Sequence, residues 1–428
     1  MEWYLAWAVV LVAAPMPLVY TLNISMVDAP PRLLVHDLGA AAYTWWLVAV
    51  ALSSRPRWID RMIGLPAVYT MHAVLGVLAL GAATAHVLAS FTMHPVIRWT
   101  GRIAWYLAIF GVLYAGLFMS GLLVDRLPRA ARLKAKAERV LAHRVSVWVH
   151  RLNLVAIILI LVHVHVIPRV ARATGFVIAM DIYTFVALAA YVWGRFAAPA
   201  LRPNRGVVIA NETLGRHTRR LSIELDGRTP APMAGDYYFI SVRGVPGVTT
   251  ESHPFSVTFA PSGERGRTVD FTIREAGDFT GTVEMLPVGA DVVLEGPFGR
   301  FGPVIEATDP SRRLVLVGMG TGIAPLIGIA QQYAGVRPVT VLRTVRSPGD
   351  LHDDALLAGL AEQHESFVYE RRVHRWDAAQ VTACIPPEDL RAALFIVVGP
   401  APAVLGARRM LRGIGVPPRH IEDERLTM

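Results

Sequence analysis

The hydrophobic positions divide the chain near residue 200. Before that point apolar residues form six long runs, each near the roughly 20 residues that a helix needs to cross a bilayer. The runs are 3–22, 33–52, 66–92, 103–124, 146–168 and 176–198. The first lacks a small-residue cleavage site, which favours a retained helix over a removed signal peptide. The pattern predicts a six-helix transmembrane bundle over residues 1–200.

The second half has short segments in which apolar and polar residues alternate, separated by turn residues. The clearest are 217–225, 236–242, 267–274 and 291–295. They predict an antiparallel β-barrel over 206–305. After Arg313 the pattern becomes strand, helix, strand, with the buried strands LVLVGMG (314–320) and FIVVGP (395–400). That alternation predicts an α/β nucleotide-binding domain over 311–428.

Charge changes the interpretation of the loops. Of the 428 residues 54% are hydrophobic and 18% charged, against about 25% charged in typical soluble proteins. The net charge of +9 is concentrated in loops such as 126–139, which is typical of cytoplasmic connections and argues against nucleic-acid binding. Counted by loop, the charges predict a protein of the cytoplasmic membrane, in contact with lipid, with both termini cytoplasmic.

The chain has a single cysteine, Cys384. It excludes an intramolecular disulfide, a thiolate zinc site and an iron–sulfur cluster held by several cysteines. Any redox centre must therefore use other ligands.

Histidines stand inside two of the apolar runs at related spacings. His72 and His86 are fourteen residues apart in the third run, and His150 and His163 are thirteen apart in the fifth. At 1.5 Å per residue each pair spans roughly 20 Å along its helix. The two helices run in the same direction, so His72 can face His150 on the cytoplasmic side and His86 can face His163 on the outer side. Paired imidazoles can provide both axial ligands of a haem iron.

One alternative role and one geometric difficulty weigh against haem ligation. A single histidine in a membrane helix is more often a hydrogen-bonded packing residue than a ligand. Helical phase also divides the pairs: fourteen residues fall about 40° short of whole turns, whereas thirteen fall about 140° short. The fifth helix would need a bulge or bend to aim both rings at its neighbour. His165 is better phased with His150, and phase alone leaves the choice open.

The four histidines, with the string HRLNL (150–154), resemble the ferric-reductase-like membrane domain shared by NADPH oxidases and ferric-chelate reductases. The resemblance implies two stacked b-type haems, one held by His72 and His150 and one by His86 and His163. It favours His163 over His165. Ser90 stands where some oxidases carry a further histidine.

Glycines follow the strand 314–319, and a helix with Pro325 in its first turn comes next. A glycine loop alone is weak evidence, because many such loops are only tight turns. The pattern GxGxxP nevertheless resembles the ferredoxin–NADP⁺ reductase superfamily, as do HPFS (253–256), FTIREAGDFT (271–280) and EGPFG (295–299). The resemblance implies two groups of binding residues. For FAD they are His253, Pro254, Phe255, Ser256, Ile273, Arg274, Gly277 and Thr280. For NAD(P) they are Gly318, Gly320, Thr321, Gly322, Pro325, Arg346, Gly399 and Pro400.

The chain departs from that superfamily at two positions. Val398 stands where a cysteine is common, and Leu426 or Met428 stands where an aromatic residue usually covers the flavin. The string RTVRS (343–347) follows the second nucleotide strand, where relatives place cations for a 2′-phosphate. Arg346, helped by Arg343, therefore favours NADPH, with NADH as the alternative.

Together these features predict electron transfer from cytoplasmic NAD(P)H through FAD and two haems to an external acceptor. Oxygen, giving superoxide, is the favoured acceptor because the outer loops are short. The alternatives are a ferric-chelate reductase and an electron donor to a periplasmic redox partner. A non-enzymatic alternative is a nucleotide-regulated proton transporter or sensor.

Overall fold

The computed structural model describes residues 2–26, 30–118, 143–201, 203–215, 217–262 and 267–426. The chain forms two compact units. The first comprises Met1–Pro56 and Ala67–Ala197, and the second comprises Arg57–Pro66 and Ala198–Met428. A short segment between two apolar helices therefore belongs to the unit that holds the C-terminal half.

Helices and the turns between them form the described part of the first unit. In chain order they are α1 (Glu2–Ala8), a π-helix (Val9–Ala13), α2 (Met16–Ser25), α3 (Pro30–Leu52), α5 (Leu65–Ala89), α6 (Pro95–Phe118), α7 (His143–His150), α8 (Leu152–His165), α9 (Pro168–Ala171), α10 (Thr174–Val192) and a second π-helix (Trp193–Ala197). The short helix α4 (Arg57–Ile63) precedes α5 and lies in the second unit.

Six helices among the described residues are long and apolar enough to cross a bilayer, as the hydropathy pattern predicts. Helix α8 packs along α6, and α10 packs against α2 and α3 around buried residues such as Tyr43 and Met180. Large apolar side chains also cover the outside, with Phe185 74% exposed. A bundle that is apolar inside and outside suits a lipid environment. The predicted basic loop 126–139 lies outside the described residues.

The fifth apolar helix is interrupted between His150 and Leu152. Helix α7 ends at His150 and α8 begins at Leu152, with Arg151 in a turn between them. The Leu154 amide donates to the Arg151 carbonyl at 2.9 Å, an i→i+3 bond in place of the usual i→i+4 bond. The break lies between His150 and His163, the interval in which the haem interpretation needs a bulge or bend.

Six antiparallel strands form the first sheet of the second unit. They are β1 (Arg205–Gly215), β2 (Thr218–Leu225), β3 (Tyr237–Val242), β4 (His253–Ser262), β5 (Thr268–Arg274) and β6 (Asp291–Phe298). The strand order is β1-β2-β5-β4-β3-β6, and β6 also pairs with β1 over three residues. Alternate residues, among them Val208, Ile223 and Phe271, point into one buried core.

Five parallel strands form the second sheet. They are β7 (Leu314–Met319), β8 (Val339–Thr344), β9 (Phe367–Arg372), β10 (Leu394–Pro400) and β11 (Ile421–Leu426), in the order β11-β10-β7-β8-β9. The main helices of this domain are α14 (Ala324–Tyr333), α15 (Asp354–Gln363), α16 (Ala378–Cys384) and α17 (Ala401–Gly413), and the shorter helices of the unit are α11 (Ala198–Leu201), α12 (Asp278–Thr282) and α13 (Phe301–Glu306). Every residue of β7 is buried, as expected for a central strand with helices on both faces.

Charged residues hold segment 57–66 within the second unit. The Arg61 guanidinium donates to both carboxylate oxygens of Asp236 at 2.5 and 2.7 Å, and to the Gly299 carbonyl at 2.7 Å. Asp60 accepts from the amides of Gly299 at 2.8 Å and Leu65 at 2.7 Å. The Asp236 side chain is fully buried, so this bidentate pair is shielded from solvent on one side.

We expect Asp236→Ala to lower the free energy of unfolding of the second unit by about 2–4 kcal/mol, because it leaves the Arg61 cation without its buried partner. Denaturant unfolding of the full chain measures the effect. Asp291→Ala is the matched control, since Asp291 is exposed on β6 of the same sheet and its loss should change stability by less than about 0.5 kcal/mol. Equal effects of the two substitutions would contradict a stabilising role for the Arg61–Asp236 pair.

Candidate functional site

The His72 and His150 rings face each other in the first unit, with their centroids 5.8 Å apart and their planes at 66°. His72 Nδ1 lies 2.8 Å from the Ala49 carbonyl oxygen, and His150 hydrogen-bonds to the backbone of Gly111. Two imidazoles bound to one metal at about 2 Å would hold their centroids about 6 Å apart. The observed spacing fits a pair of axial ligands.

The second histidine pair has the same kind of support. His86 Nδ1 is 2.7 Å from the Val35 carbonyl oxygen, and His163 Nδ1 is 3.0 Å from the Ile97 carbonyl oxygen. A carbonyl oxygen can only accept, so Nδ1 carries the proton in these rings and Nε2 keeps its lone pair. A metal-bound histidine requires that tautomer, and the Nδ1 hydrogen bond orients its ring.

His163 and His165 occupy different surroundings. His163 interacts electrostatically with His86, whereas His165 Nδ1 bonds to the Leu161 carbonyl of its own helix at 2.8 Å. His165 Nε2 lies 3.4 Å from an Asp181 carboxylate oxygen. Ideal helical phase pointed to His165, but the break at Arg151 removes that argument. His163 Nδ1 is bonded to the Ile97 carbonyl of α6, whereas the contacts of His165 are with its own helix and Asp181. Ligation of the iron by His163 rather than His165 stays a prediction.

The two predicted flavin segments meet in the second unit. On β4, His253 pairs with Ile240, Pro254 with Phe239, Phe255 with Tyr238 and Ser256 with Tyr237 of β3. The His253 ring stacks on Phe279 with centroids 4.5 Å apart and planes at 21°. Phe279 begins the turn after Gly277 and therefore joins HPFS to the second segment. It is part of the quoted string, but no role for it follows from the sequence.

The turn after β5 lines a cavity of about 600 Å³ whose walls include Arg274, Gly277 and His217. No carboxylate among the described residues forms an ion pair with Arg274, so its charge suits an anionic group such as a pyrophosphate. The Thr280 hydroxyl accepts from the amides of Ala276 and Gly277 at 2.8 and 2.9 Å. It therefore shapes this turn. Ile273 is buried in the core of the sheet and does not line the cavity.

The glycine loop after β7 requires its glycines for different reasons. Gly320 has φ +61°, a conformation that favours glycine, and a Cβ there would meet nothing within 4 Å. A Cβ at Gly322 would lie 2.3 Å from the Val398 carbonyl oxygen. Gly322 thus lets the loop pack against β10, while Gly320 leaves open space beside the backbone. Thr321 completes the turn, and Pro325 follows in the first turn of α14.

Strand order brings the two predicted nucleotide-binding segments together. The chain proceeds from β7 to β8 and β9 on one side, and continues in β10 and β11 on the other. Gly318 on β7 pairs with Val398 on β10, so Gly320 and the Gly399–Pro400 segment lie at one carboxyl edge. Open parallel sheets bind ligands in the crevice where the strand order reverses. Val398 is fully buried, and Leu426 pairs with Pro400; Met428 lies outside the described residues.

The two arginines predicted to bind a 2′-phosphate differ in solvent exposure. Arg343 is only 1% exposed and donates to the carbonyls of His352 at 2.6 Å and Asp350 at 3.0 Å. Its guanidinium holds the 350–352 loop, and its part in phosphate binding stays a prediction. Arg346 is exposed just beyond the end of β8 and remains the candidate.

Glu424 on β11 is a titratable residue for which the sequence gives no role. Burial, followed by the nearby carboxylates of Asp60 and Asp236, raises its pKa to about 7. Three segments distant in sequence create this acidic cluster, so no local pattern predicts it. Its carboxyl group is poised to gain or lose a proton near neutral pH.

None of the protein-family models compared with the chain matches it. The chain is 29% identical over 181 residues to the reductase subunit of an aromatic O-demethylase from Amycolatopsis sp., covering 41% of this chain and 52% of that protein. It is 29% identical over 194 residues to the electron transfer component of a 2-halobenzoate 1,2-dioxygenase from Burkholderia cepacia, covering 42% and 54%. The chain thus spans about half the length of these curated relatives.

A flavohemoglobin from Malassezia yamatoensis, solved with bound FAD and heme, has a similar fold. The TM-score is 0.50 at 18% identity, over 95% of this chain and 99% of that one. At this identity the similarity concerns the fold alone. The chain is thus similar in sequence to two electron-transfer reductase components and in fold to a flavohemoglobin.

Glu424 makes stability depend on pH. Its ordinary pKa is 4.5, so between about 4.5 and 7 the folded chain keeps a proton that the unfolded chain loses. The free energy of unfolding should therefore fall as pH rises through this window and level off above it. Glu424→Gln, which is neutral throughout, should flatten the dependence of Tm on pH. Replacing the exposed Glu388 by Gln is the control, and curves for Glu424→Gln that parallel the unsubstituted protein would refute the assignment.

Proposed function

We propose that this chain is an NAD(P)H-dependent transmembrane oxidoreductase. It carries electrons from NAD(P)H at the cytoplasmic side through FAD and two stacked b-type haems to an acceptor on the other side, as the resemblance to NADPH oxidases and ferric reductases implies. The observation that carries the proposal is the facing pair of His72 and His150, 5.8 Å apart and aligned by backbone hydrogen bonds.

The haem sites are proposed from the donor set. His72 with His150, and His86 with His163, would hold the two irons through Nε2, because backbone carbonyls occupy Nδ1 of at least three of the rings. Six apolar helices and the distribution of basic loops support a membrane location with both termini cytoplasmic.

The flavin and nucleotide sites are proposed for the second unit. Arg274 and Gly277 at the 600 Å³ cavity would hold the FAD pyrophosphate, and HPFS would contact the isoalloxazine. Gly320, Gly322 and the Gly399–Pro400 segment would hold NAD(P)H at the carboxyl edge. A flavin accepts a hydride and releases electrons singly, which connects a two-electron donor to one-electron haems.

Oxygen, giving superoxide, is the proposed acceptor. The connections on the side of His86 and His163 are short, residues 90–94 and 166–173, and provide little surface for a bulky chelate. Ser90, in place of a histidine found in some oxidases, weakens this preference over a ferric chelate. Arg98, Arg102, Arg169 and Arg172 on the same side are proposed as interfacial anchors.

A second candidate function is electron donation to a protein partner. The two curated relatives are named as a reductase subunit and an electron transfer component, so each is described as part of a larger redox system. Under this alternative the reduced chain would be stable in air until its partner is added.

The experiment that tests the proposal is a reduced-minus-oxidised spectrum of the purified chain with NADPH, first under nitrogen and then in air. We expect a Soret band in the 410–430 nm region, roughly where bis-imidazole haem absorbs, and rapid reoxidation by air. His163→Leu should remove about half of the haem. His165→Leu, two residues away on the same helix, should leave the haem content unchanged.

A colourless protein would refute the haem proposal. Equal pigment in both leucine variants would refute the ligand assignment and leave other ligands to be sought. Haem that NADPH reduces but air does not reoxidise would exclude the oxidase and favour a protein partner or a ferric chelate.

Arg346 tests the preference for NADPH. Arg346→Ala should raise KM for NADPH by about 10- to 150-fold and leave KM for NADH nearly unchanged, because a charge-assisted bond to the 2′-phosphate is worth about 1.5–3 kcal/mol. Steady-state reduction of an artificial acceptor provides the measurement. Arg312→Ala, an exposed arginine that precedes β7 at the opposite edge of the sheet, is the control. Equal changes with both nucleotides would argue against phosphate recognition.

A further inference from the structure

The outer histidine pair rests on two glycines that occupy equivalent positions. His86 bonds to the carbonyl of Val35, and Gly39 lies four residues further along α3. His163 bonds to the carbonyl of Ile97, and Gly101 lies four residues further along α6. We call these two arrangements, Val35/Gly39 and Ile97/Gly101, the glycine seats.

The geometry of an α-helix explains why a glycine is needed there. The carbonyl of residue i points along the axis towards residue i+4, so a ring bonded to that carbonyl lies against the surface at i+4. A Cβ at Gly39 would lie 3.1 Å from Nδ1 and 3.2 Å from Cε1 of His86. A Cβ at Gly101 would lie 3.0 Å from Cε1 and 3.2 Å from Nδ1 of His163. Both contacts are closer than carbon normally tolerates.

The inner pair does not use this arrangement. His72 bonds to the Ala49 carbonyl, and the residue four further along is Ser53. His150 bonds to the backbone of Gly111, and the residue four further along is Ala115. Both positions carry a Cβ, so the glycine at i+4 distinguishes the outer pair from the inner pair.

We propose that Gly39 and Gly101 are positioning residues for the haem between His86 and His163. They let each ring lie against its helix while Nδ1 stays bonded to the carbonyl, and this sets the direction of Nε2. The inference rests on the proposed function, since it requires these two histidines to hold an iron. It adds α3 and α6, neither of which carries a ligand, to the elements that build the site.

If Gly39 and Gly101 had no role beyond helix packing, their replacement by alanine would have a different effect. Alanine is favoured over glycine inside a helix by about 1 kcal/mol, so a glycine without a contact to protect should tolerate alanine or gain from it. At Gly39 and Gly101 the added methyl group would tilt the ring and lengthen the Nδ1 hydrogen bond. Weakening such an outer-shell bond typically lowers metal affinity by 10–100-fold, and it alters the potential through the basicity of the ligand.

The test uses the full chain with Gly39→Ala and Gly101→Ala as separate variants. Gly81→Ala on α5 and Gly175→Ala on α10 are matched controls, because a Cβ at either would meet nothing within 4 Å. Gly81 also lies five residues before His86, about 140° around the helix from that ring. Haem and FAD are quantified for each purified protein, and both haem potentials are measured by redox titration.

We expect each seat variant either to lose about half of its haem or to shift the midpoint potential of one haem, with the other haem and the FAD content unchanged. The controls should keep both haems and both potentials. A seat variant that matches its control overturns the inference. Loss of both haems together with FAD also overturns it, because the glycine would then serve the fold in general. An unsubstituted chain without haem would instead refute the proposed function itself.

Discussion

The same type of hydrogen bond orients three histidines of the helical unit. In each case a histidine Nδ1–H donates to a main-chain carbonyl of a neighbouring helix. In an apolar environment an imidazole N–H without a hydrogen-bond partner is costly. The carbonyls of Ala49, Val35 and Ile97 therefore determine which ring nitrogen carries the proton. The carbonyl oxygen cannot donate, and Nε2 therefore retains a lone pair directed away from the helix. The backbone thus fixes both the tautomer and the direction of the potential ligand.

The second unit depends on a comparable constraint between charges. Segment 57–66 leaves the apolar half of the sequence and is held by Arg61 and Asp60 at Asp236 and Gly299. Asp236 is fully buried, so its charge is tolerated only because Arg61 neutralises it. Glu424 on the final strand lies near the same carboxylates, and burial, followed by their negative charges, raises its pKa to about 7. The first sheet, the second sheet and segment 57–66 of the second unit thus each contribute residues to one charged cluster.

Strand order explains how distant residues come to share the candidate nucleotide site. Gly320 and Gly399 are separated by β8, β9 and their helices, yet β7 and β10 are neighbours in the sheet. Val398 contributes its carbonyl beside Gly322 and buries its side chain in the core. The same topology explains why Arg343 is buried. It lies on β8, between β7 and β9, and its guanidinium donates to carbonyls of the 350–352 loop.

The sequence alone determined the features that depend on local periodicity: six apolar helices, the strands 217–225 and 314–319, and the glycine turn. Spacing could relate His72 to His86, because residues on one helix have a known phase. It could not show that His163 bonds to α6 while His165 bonds within its own helix, place Phe279 beside His253, or bury Arg343. It also gave no sign of Gly39 and Gly101 behind the rings. Only the tertiary structure decided these, because each depends on two segments meeting in space, and local periodicity carries no information about which segments become neighbours.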